Sequence, residues 1–300
     1  MCIRDRACIL LELTAASGQR RILFSGDLGL SARPILRDPD KAPTADVVVM
    51  ETTYGDRQHK QLEPSIEELY SAINDTLARG GNVVIPTFAL ERAQELLFYL
   101  HAGKSQGILP DFLQVFLDSP MAISATEIFR HHPECYDEHT AGLFASGHDP
   151  FQFAGLHFTR ETADSMAINQ ISGGAVIMAG SGMCTGGRIR HHLKRHLGHS
   201  QSSVVFVGYA AEGTLARRIV DGAKSVSIFG DQYPVRAEIH TIGGFSAHAG
   251  QTELLAWHRQ TGNPDSTFLV HGEKDSMTAF SQLLENTRVV MPRLHDEFDL

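Results

Sequence analysis

From Ser65 onward the sequence alternates short apolar runs with amphipathic segments, and this alternation constrains the fold more than any other feature. The apolar runs lie at 83–85, 113–117, 175–179 and 204–207. The segments with helical periodicity that follow them lie at 89–101, 121–130, 187–197 and 214–221. Apolar runs without polar alternation are typical of strands that are buried on both faces. The pattern therefore predicts an α/β domain in which helices cover both faces of a mostly parallel sheet.

The segment before the first of these strands predicts a helix with defined ends. Ser65 and Glu68 have the spacing of a capping box at its start, and Gly80 with Gly81 indicates its stop. Residues 57–64 are polar and are expected to form a loop.

Further strands are predicted on either side of this α/β region. Residues 8–15 and 20–25 indicate a hairpin that turns at Ser17 and Gly18, and further strands are expected at 47–50, 226–229, 235–242, 268–270 and 288–291. In the simplest topology the first and last strands share one domain, into which the α/β domain is inserted. We therefore expect boundaries that give 1–55, 56–243 and 244–300, with a ligand-binding cleft where the two domains meet.

Composition narrows the classes of function. The formal net charge of −9 opposes broad adhesion to nucleic acid, although a local basic groove stays open. The four cysteines form no Cys-x-x-Cys pair, so any metal would be held by histidine and carboxylate. No apolar run has the length of a membrane span and the N-terminus does not have the pattern of a secretory signal, so a cytoplasmic location is expected.

Four chemically capable side chains lie at the ends of predicted strands. They are Asp27, Glu51, His248 and His271. Three of them have an alternative structural role when taken singly. Asp27 could form a turn, His248 could cap the helix that follows it, and His271 could be a polar strand end. Glu51 ends the apolar run V-V-V-M, so its carboxylate is expected to be partly buried and to need a partner such as histidine. Because all four follow strands, we predict that they form one site.

A glycine-rich loop at 179–188 lies between a predicted strand and a helix, where backbone N–H groups favour an anion. It matches neither the dinucleotide fingerprint nor the nucleotide-triphosphate loop. The predicted contacts to a polymer phosphate are Ser181, Gly182, Thr185, Gly186, Gly187 and Arg188. A turn that serves only packing is an equally weighted alternative. Arg92 and Gln94, in another strand-to-helix segment, are expected to brace their loop rather than to contact substrate.

Six motifs in order resemble the β-CASP branch of the metallo-β-lactamase superfamily, which contains RNA-processing nucleases such as the cleavage and polyadenylation specificity nuclease. The motifs are Gly26-Asp27, Glu51-Thr52-Thr53-Tyr54-Gly55, the run 86–95, Gly180 to Arg188, Ser246-Ala247-His248-Ala249 and Val270-His271-Gly272-Glu273. The resemblance implies a partial metallo-β-lactamase αββα sandwich that carries an inserted β-CASP domain.

The resemblance also implies the chemistry. Asp27 would bridge two zinc ions and His271 would bind zinc, while His248, held by Glu51, would protonate the leaving oxygen of an RNA phosphodiester. Single-stranded RNA is the implied partner, and a homodimer stays open. Gly250 is a departure, because the family usually has aspartate at that position.

The family's His-x-His-x-Asp-His motif does not occur in this sequence. Residues Met1 to Arg6 do not resemble the family either, so we expect an incomplete chain that is inactive or nearly so by itself. Two other functions stay open from the residues: hydrolysis of a small ester or thioester, and non-catalytic binding of RNA or a partner subunit. Retention of Asp27, Glu51, His248 and His271 favours a catalytic parent protein.

Overall fold

The computed structural model describes residues 8–15, 18–31, 33–58 and 60–299, and it divides them into two compact units. The middle unit is Lys60–Ser246, and the terminal unit consists of the described residues in 8–58 and 247–299. Met1 to Arg6, on which part of the incomplete-chain expectation rested, lie outside the described residues, as does Ser17 of the predicted turn.

The secondary structure alternates strands and helices along most of the chain. The strands are β1 (Ile9–Ala15), β2 (Gly18–Phe24), β3 (Val47–Glu51), β4 (Val83–Pro86), β5 (Gln114–Leu117), β6 (Leu156–Phe158), β7 (Ala175–Ala179), β8 (Ser203–Phe206), β9 (Ser225–Ile228), β10 (Asp231–Pro234), β11 (Glu238–Thr241), β12 (Ser266–Val270) and β13 (Arg288–Val290). The α-helices are α1 (Leu62–Ala78), α2 (Arg92–Ser105), α3 (Pro120–Arg130), α4 (Glu138–Ala145), α5 (Thr162–Ala167), α6 (Ile189–His196), α7 (Leu215–Val220), α8 (Gln251–Gln260) and α9 (Lys274–Ser281).

The middle unit contains a six-stranded sheet in the order β11-β8-β4-β7-β5-β6, and each neighbouring pair is parallel. Helices cover both of its faces. Val204 and Phe206 of β8 pack in one core with residues of α6 and α7. Ser203 points to the opposite face, where its hydroxyl lies 2.6 Å from Thr76 of α1. The prediction of a mostly parallel α/β sheet with helices on both faces is confirmed.

The terminal unit contains a five-stranded sheet in the order β1-β2-β3-β12-β13. β1 and β2 form an antiparallel hairpin, and the remaining pairs are parallel. Leu23, Met50 and Leu269 are buried on one face together with Leu254 of α8 and Phe280 of α9. Among the described residues, the first and last strands therefore lie in one sheet.

The predicted capping box of Ser65 and Glu68 is wrong. α1 begins at Leu62, and its N-cap residue, Gln61, lies four residues before Ser65 and makes no side-chain cap. The loop expected at 57–64 therefore ends at Gln61. Pro64 is tolerated because the first turn of a helix needs no N–H acceptor. Ser65 is instead fully buried, and its hydroxyl donates to the carbonyl of Gln61 at 2.9 Å.

Other elements differ more modestly from the sequence-based expectations. The strand expected at 235–242 is shorter in the structure and comprises only β11 (Glu238–Thr241), because the N–H groups of Arg236 and Ala237 both donate to the carbonyl of Leu197. The helices α4, α5 and α9 and the strands β6 and β10 had no predicted counterpart. No helix among the described residues has the length and apolarity needed to cross a bilayer.

The close approach of Gly81 to the backbone of Gln201 generates a stability prediction. A Cβ added at Gly81 would lie 1.8 Å from the carbonyl oxygen of Gln201, so backbone would have to move. We expect Gly81→Ala to lower the free energy of unfolding by about 1–3 kcal/mol in chemical denaturation. The control is Gly142→Ala in α4, where nothing lies within 4 Å and helix propensity favours a gain of up to about 1 kcal/mol. Equal stabilities of the two variants would contradict this reasoning.

Candidate active site

Three of the four predicted site residues lie at one edge of the terminal sheet. β2, β3 and β12 are parallel neighbours, and Glu51 at the end of β3 is in register with Val270 at the end of β12. Asp27 follows β2 and His271 follows β12. Because the carboxyl ends of parallel strands meet at the same edge, the strand pairing itself gathers these residues.

His248 reaches the same edge through the segment that precedes α8. The N–H of Ala249 donates to the carbonyl of Leu28 at 2.7 Å, and Gly250 forms a parallel bridge with Tyr54. α8 begins at Gln251 with Gly250 as its N-cap residue, so the alternative in which His248 caps this helix is wrong.

Glu51 and His248 form a hydrogen-bonded pair in which the carboxylate is buried. Nδ1 of His248 lies 3.0 Å from each carboxylate oxygen of Glu51, whose side chain is 1% exposed. The same carboxylate accepts the N–H of Leu28 at 2.6 Å. Burial acts to raise the pKa of Glu51, but His248, the Thr53 hydroxyl and the Leu28 N–H together lower it below its usual value. The carboxylate is therefore ionised at neutral pH and orients the imidazole of His248 through Nδ1.

Asp27, His248 and His271 could hold a metal ion. Each offers one ligand atom, and the three atoms lie within 4.8 Å of one another. The Asp27 and His271 side chains are 42% and 58% exposed, and Oδ1 of Asp27 lies 3.7 Å from Nδ1 of His271. The imidazole rings of His248 and His271 have centroids 5.4 Å apart.

This donor set fits zinc, which takes histidine nitrogen and carboxylate oxygen and commonly has three protein ligands in catalytic sites. Among the described residues this is the one group of histidine, cysteine or carboxylate side chains with such spacing, and its three members match the ligand number of one ion. A second ion would require ligands in addition to them.

Thr53 is the residue of this site that the sequence reasoning missed. Its hydroxyl, on a side chain that is almost fully buried, lies 2.7 Å from Oε2 of Glu51 and 3.2 Å from Nδ1 of His271. It also lies 3.1 Å from the carbonyl of His271, whose φ of 49° places it in the sparsely populated left-handed region. The sequence offered one signal for Thr53, because it lies two residues after Glu51 in the motif Glu51 to Gly55.

The hydroxyl of Thr53 determines which nitrogen of His271 carries the proton. A hydroxyl has one proton, and the ionised carboxylate of Glu51 at 2.7 Å is a stronger acceptor than the carbonyl of His271 at 3.1 Å. Thr53 therefore donates to Glu51 and accepts from Nδ1–H of His271. In a neutral imidazole this leaves the lone pair on Nε2, which is the atom that a metal would bind.

Replacing Thr53 with valine removes this hydroxyl without changing the shape of the side chain much. We expect Thr53→Val to lower the free energy of unfolding by about 1–2 kcal/mol and to reduce the population of the Nδ1–H tautomer of His271. Imidazole ¹⁵N NMR of the metal-free chain measures the tautomer, and Thr53→Ser is the matched control that keeps the hydroxyl. An unchanged tautomer in Thr53→Val would show that another group orients His271.

The glycine-rich loop belongs to the middle unit and is internally bonded. The N–H of Ser181 donates to the carbonyl of Gly186 at 3.1 Å, and the N–H of Cys184 donates to the carbonyl of Ser181 at 3.0 Å. The side chain of Thr185 is exposed, and its hydroxyl lies 3.4 Å from that of Ser181. Gly187 has φ 77° and packs on the carbonyl of Gly180, so a side chain there would be excluded. The predicted phosphate contacts by this loop stay a prediction.

Arg188 has contacts that hold the loop in place. Its guanidinium donates to Oδ1 of Asp118 and to the carbonyls of Thr159 and Arg160, all at 2.7–2.8 Å. Asp118 is fully buried and also accepts from His192, Thr159 and Ser165. Burial acts to raise the pKa of Asp118, but the hydrogen bonds from His192, Ser165 and Thr159 and the charge of His192 lower it to about 2. These contacts give Arg188 a bracing role.

The lowered pKa of Asp118 predicts an acid-sensitive contribution to stability. A folded-state pKa of about 2, below the ordinary 3.8, stabilises the fold above about pH 4, and this contribution is lost as pH falls through 2. We expect Asp118→Asn to lower the free energy of unfolding by about 2 kcal/mol at pH 7, with the difference narrowing below pH 4. Asp221→Asn is the control, because its ion pair with Arg217 is exposed and contributes below about 1 kcal/mol. A pH-independent difference would contradict the assignment.

Three other residues have structural contacts. Gln94 is buried and donates to Thr126 at 2.8 Å, and Arg92 pairs with Glu95. Gln94 also donates to the carbonyl of Ala89 in the preceding loop and so braces that loop, whereas the pair of Arg92 with Glu95 lies within α2. Cys184 is fully buried, which raises the pKa of its thiol to about 12 and makes it unsuitable as a nucleophile.

Two regions of the chain match described families. Residues 93–219 match the Beta-Casp domain, and residues 232–292 match the Zn-dependent metallo-hydrolase RNA specificity domain. The second region contains His248 and His271.

The chain is also similar to curated proteins along most of its length. It is 42% identical to Ribonuclease TTHA0252 of Thermus thermophilus over 265 residues, which cover 88% of this chain and 60% of the relative. It is 30% identical to Transcription termination factor FttA of Methanocaldococcus jannaschii, covering 91% of this chain and 44% of the relative. With FttA of Methanothermobacter thermautotrophicus the identity is 33%, over 88% and 43% of the two chains. The chain thus spans less than two thirds of the length of these relatives.

Proposed function

Because the chain belongs to the β-CASP family of the metallo-β-lactamase superfamily, we propose that the protein acts in zinc-dependent hydrolysis of phosphodiester bonds in single-stranded RNA. The observation that carries the proposal is the convergence of Asp27, His248 and His271 within reach of one ion, beside the buried carboxylate of Glu51. A cytoplasmic location is part of the same proposal, since RNA processing and decay occur there.

Each residue of the site has a defined task in this function. Asp27 and His271 would hold zinc, with His271 presenting Nε2 because the Thr53 hydroxyl accepts a hydrogen bond from its Nδ1–H. Zinc bound there would supply Lewis-acid stabilisation of negative charge on the phosphoryl group. Glu51 holds Nδ1–H of His248, so His248 would donate a proton to the leaving oxygen from Nε2.

The number of ions and the role of His248 are linked. The family resemblance implies two zinc ions, whereas the three clustered side chains supply ligands for one. If His248 acts as the third ligand it is not available as the acid. We propose the acid role, because the carboxylate of Glu51 holds Nδ1–H of His248 and so orients the ring for proton transfer through Nε2. Asp27 and His271 would then supply two ligands to zinc, and a complete site would need ligands from outside this group.

Zinc binding by the 300-residue chain tests these assignments without requiring turnover. We expect Asp27→Ala and His271→Ala each to weaken zinc binding about tenfold or more, and His248→Ala to change it less than about threefold, in competition titrations with a chromophoric chelator. His199→Ala, at an exposed histidine of the middle unit, is the control. A large loss of zinc affinity in His248→Ala would assign it as a ligand instead.

RNA assays test the substrate class. The sequence has no His-x-His-x-Asp-His motif, so we expect this chain to bind single-stranded RNA but to cleave it no faster than its metal-free form does. Cleavage of RNA with two zinc ions bound would contradict the expected inactivity. Zinc-dependent hydrolysis of small thioesters without RNA binding would overturn the proposed function.

A further inference from the structure

Three strand-to-helix segments meet at the carboxyl edge of the sheet in the middle unit. They follow β4, β7 and β8, which are parallel neighbours in the order β8-β4-β7, so all three leave the sheet at the same edge. The N–H of Thr87 donates to the carbonyl of Ala179 at 3.0 Å, which joins the first segment to the second. The N–H of Ala211 lies 3.4 Å from the sulfur of Met183, which joins the second to the third. These two contacts hold the three segments together as one surface at this edge of the sheet.

Phe88 is a half-exposed aromatic ring on this surface. Its side chain is 48% exposed, although the preceding Thr87 is buried and fixed to the sheet. One side of the ring rests on Gly182 of the glycine-rich loop, where an added Cβ would lie 2.7 Å from Cε2 and 2.9 Å from Cδ2. Only glycine at position 182 permits this contact. The loop supports the ring from one side and leaves about half of it open to solvent.

Polar groups able to bind a phosphate lie next to this ring. Ser181 precedes Gly182, and its hydroxyl is 3.4 Å from that of the exposed Thr185. The contacts of Arg188 with Asp118, Thr159 and Arg160 hold the loop in one conformation. The open face of Phe88 offers the aromatic contact on which bases stack when proteins bind single-stranded nucleic acid without sequence preference, and the hydroxyls of Ser181 and Thr185 are neutral hydrogen-bond donors for a phosphate.

We propose that Phe88, supported by Gly182, is a stacking platform for one nucleobase of single-stranded RNA. The inference rests on the proposed RNA function and adds a base-binding position in the middle unit, outside the metal cluster. Every base has a π-face, so the platform binds all four bases with similar strength. Its contribution to RNA binding depends on the bases rather than on the phosphate charge.

The experiment compares two fluorescent oligonucleotides by anisotropy with the full 300-residue chain. One is a single-stranded RNA 10-mer, and the other has the same ribose-phosphate backbone with its internal bases removed. We expect Phe88→Leu to weaken binding of the intact RNA about 5- to 100-fold, which is what the loss of one base–aromatic stack gives, and to leave binding of the abasic strand unchanged. We expect Phe88→Trp to bind within about twofold of the parent, because the indole keeps the stacking face.

Phe112→Leu is the matched control. Phe112 is 65% exposed and lies before β5, at the amino end of that strand, so its replacement should not affect RNA binding. Gly182→Ala is a second variant of the platform, since the added methyl displaces the ring and should reproduce the loss seen in Phe88→Leu. Thermal unfolding of each variant establishes that it is folded.

Two outcomes would contradict the stacking platform, and a third would contradict the proposed RNA function. Unchanged affinity in Phe88→Leu, or an equal loss for the intact and the abasic strand, would overturn the stacking platform while leaving the proposed function in place. A parent chain that binds neither oligonucleotide would instead contradict the proposed RNA function, and the inference would fall with it.

Discussion

The parallel pairing of β2, β3 and β12 is the constraint on which the candidate active site depends. Their register brings the ends of three strands to one edge, so Asp27, Glu51 and His271 meet although more than 200 residues separate the first from the last. The fourth member, His248, is held there by the bond from Ala249 to Leu28. Backbone hydrogen bonds thus position the site, and its side chains need to provide only the chemistry.

Glu51 is the electrostatic centre of this arrangement. Its carboxylate is almost fully buried, and burial of a charge is costly unless hydrogen bonds compensate for it. The Leu28 N–H, the Thr53 hydroxyl and His248 provide that compensation, and in doing so they become oriented themselves. The Thr53 hydroxyl in turn hydrogen-bonds to Nδ1 of His271 and so orients that ring as well. One buried charge therefore determines the geometry of two histidines.

The middle unit uses a buried carboxylate in a comparable way. Asp118 is fully buried among donors from β-strand ends and helices, and through Arg188 it fixes the glycine-rich loop. The sequence singled out Arg188 for its charge and its position beside glycines, but its partner Asp118 lies 70 residues away in the chain. The sequence pattern could identify the glycine-rich loop. The structural role of Arg188 could not be predicted, because it depends on contact with Asp118, which is distant in the sequence.

The α/β character, most strand positions and the four candidate side chains at strand ends could be predicted from the sequence, because apolar periodicity and strand-end motifs are local properties of the chain. The start of α1 was predicted wrongly, because Ser65 does not cap the helix. Its side chain is buried and its hydroxyl donates to the carbonyl of Gln61. Three contacts are visible only in the folded chain: Thr53 joins Glu51 to His271, His248 joins Asp27 and His271 in one cluster, and Phe88 rests on Gly182. Each joins residues that are distant in the sequence, and such contacts depend on which strands become neighbours in the sheet, which the pattern of a single segment does not show.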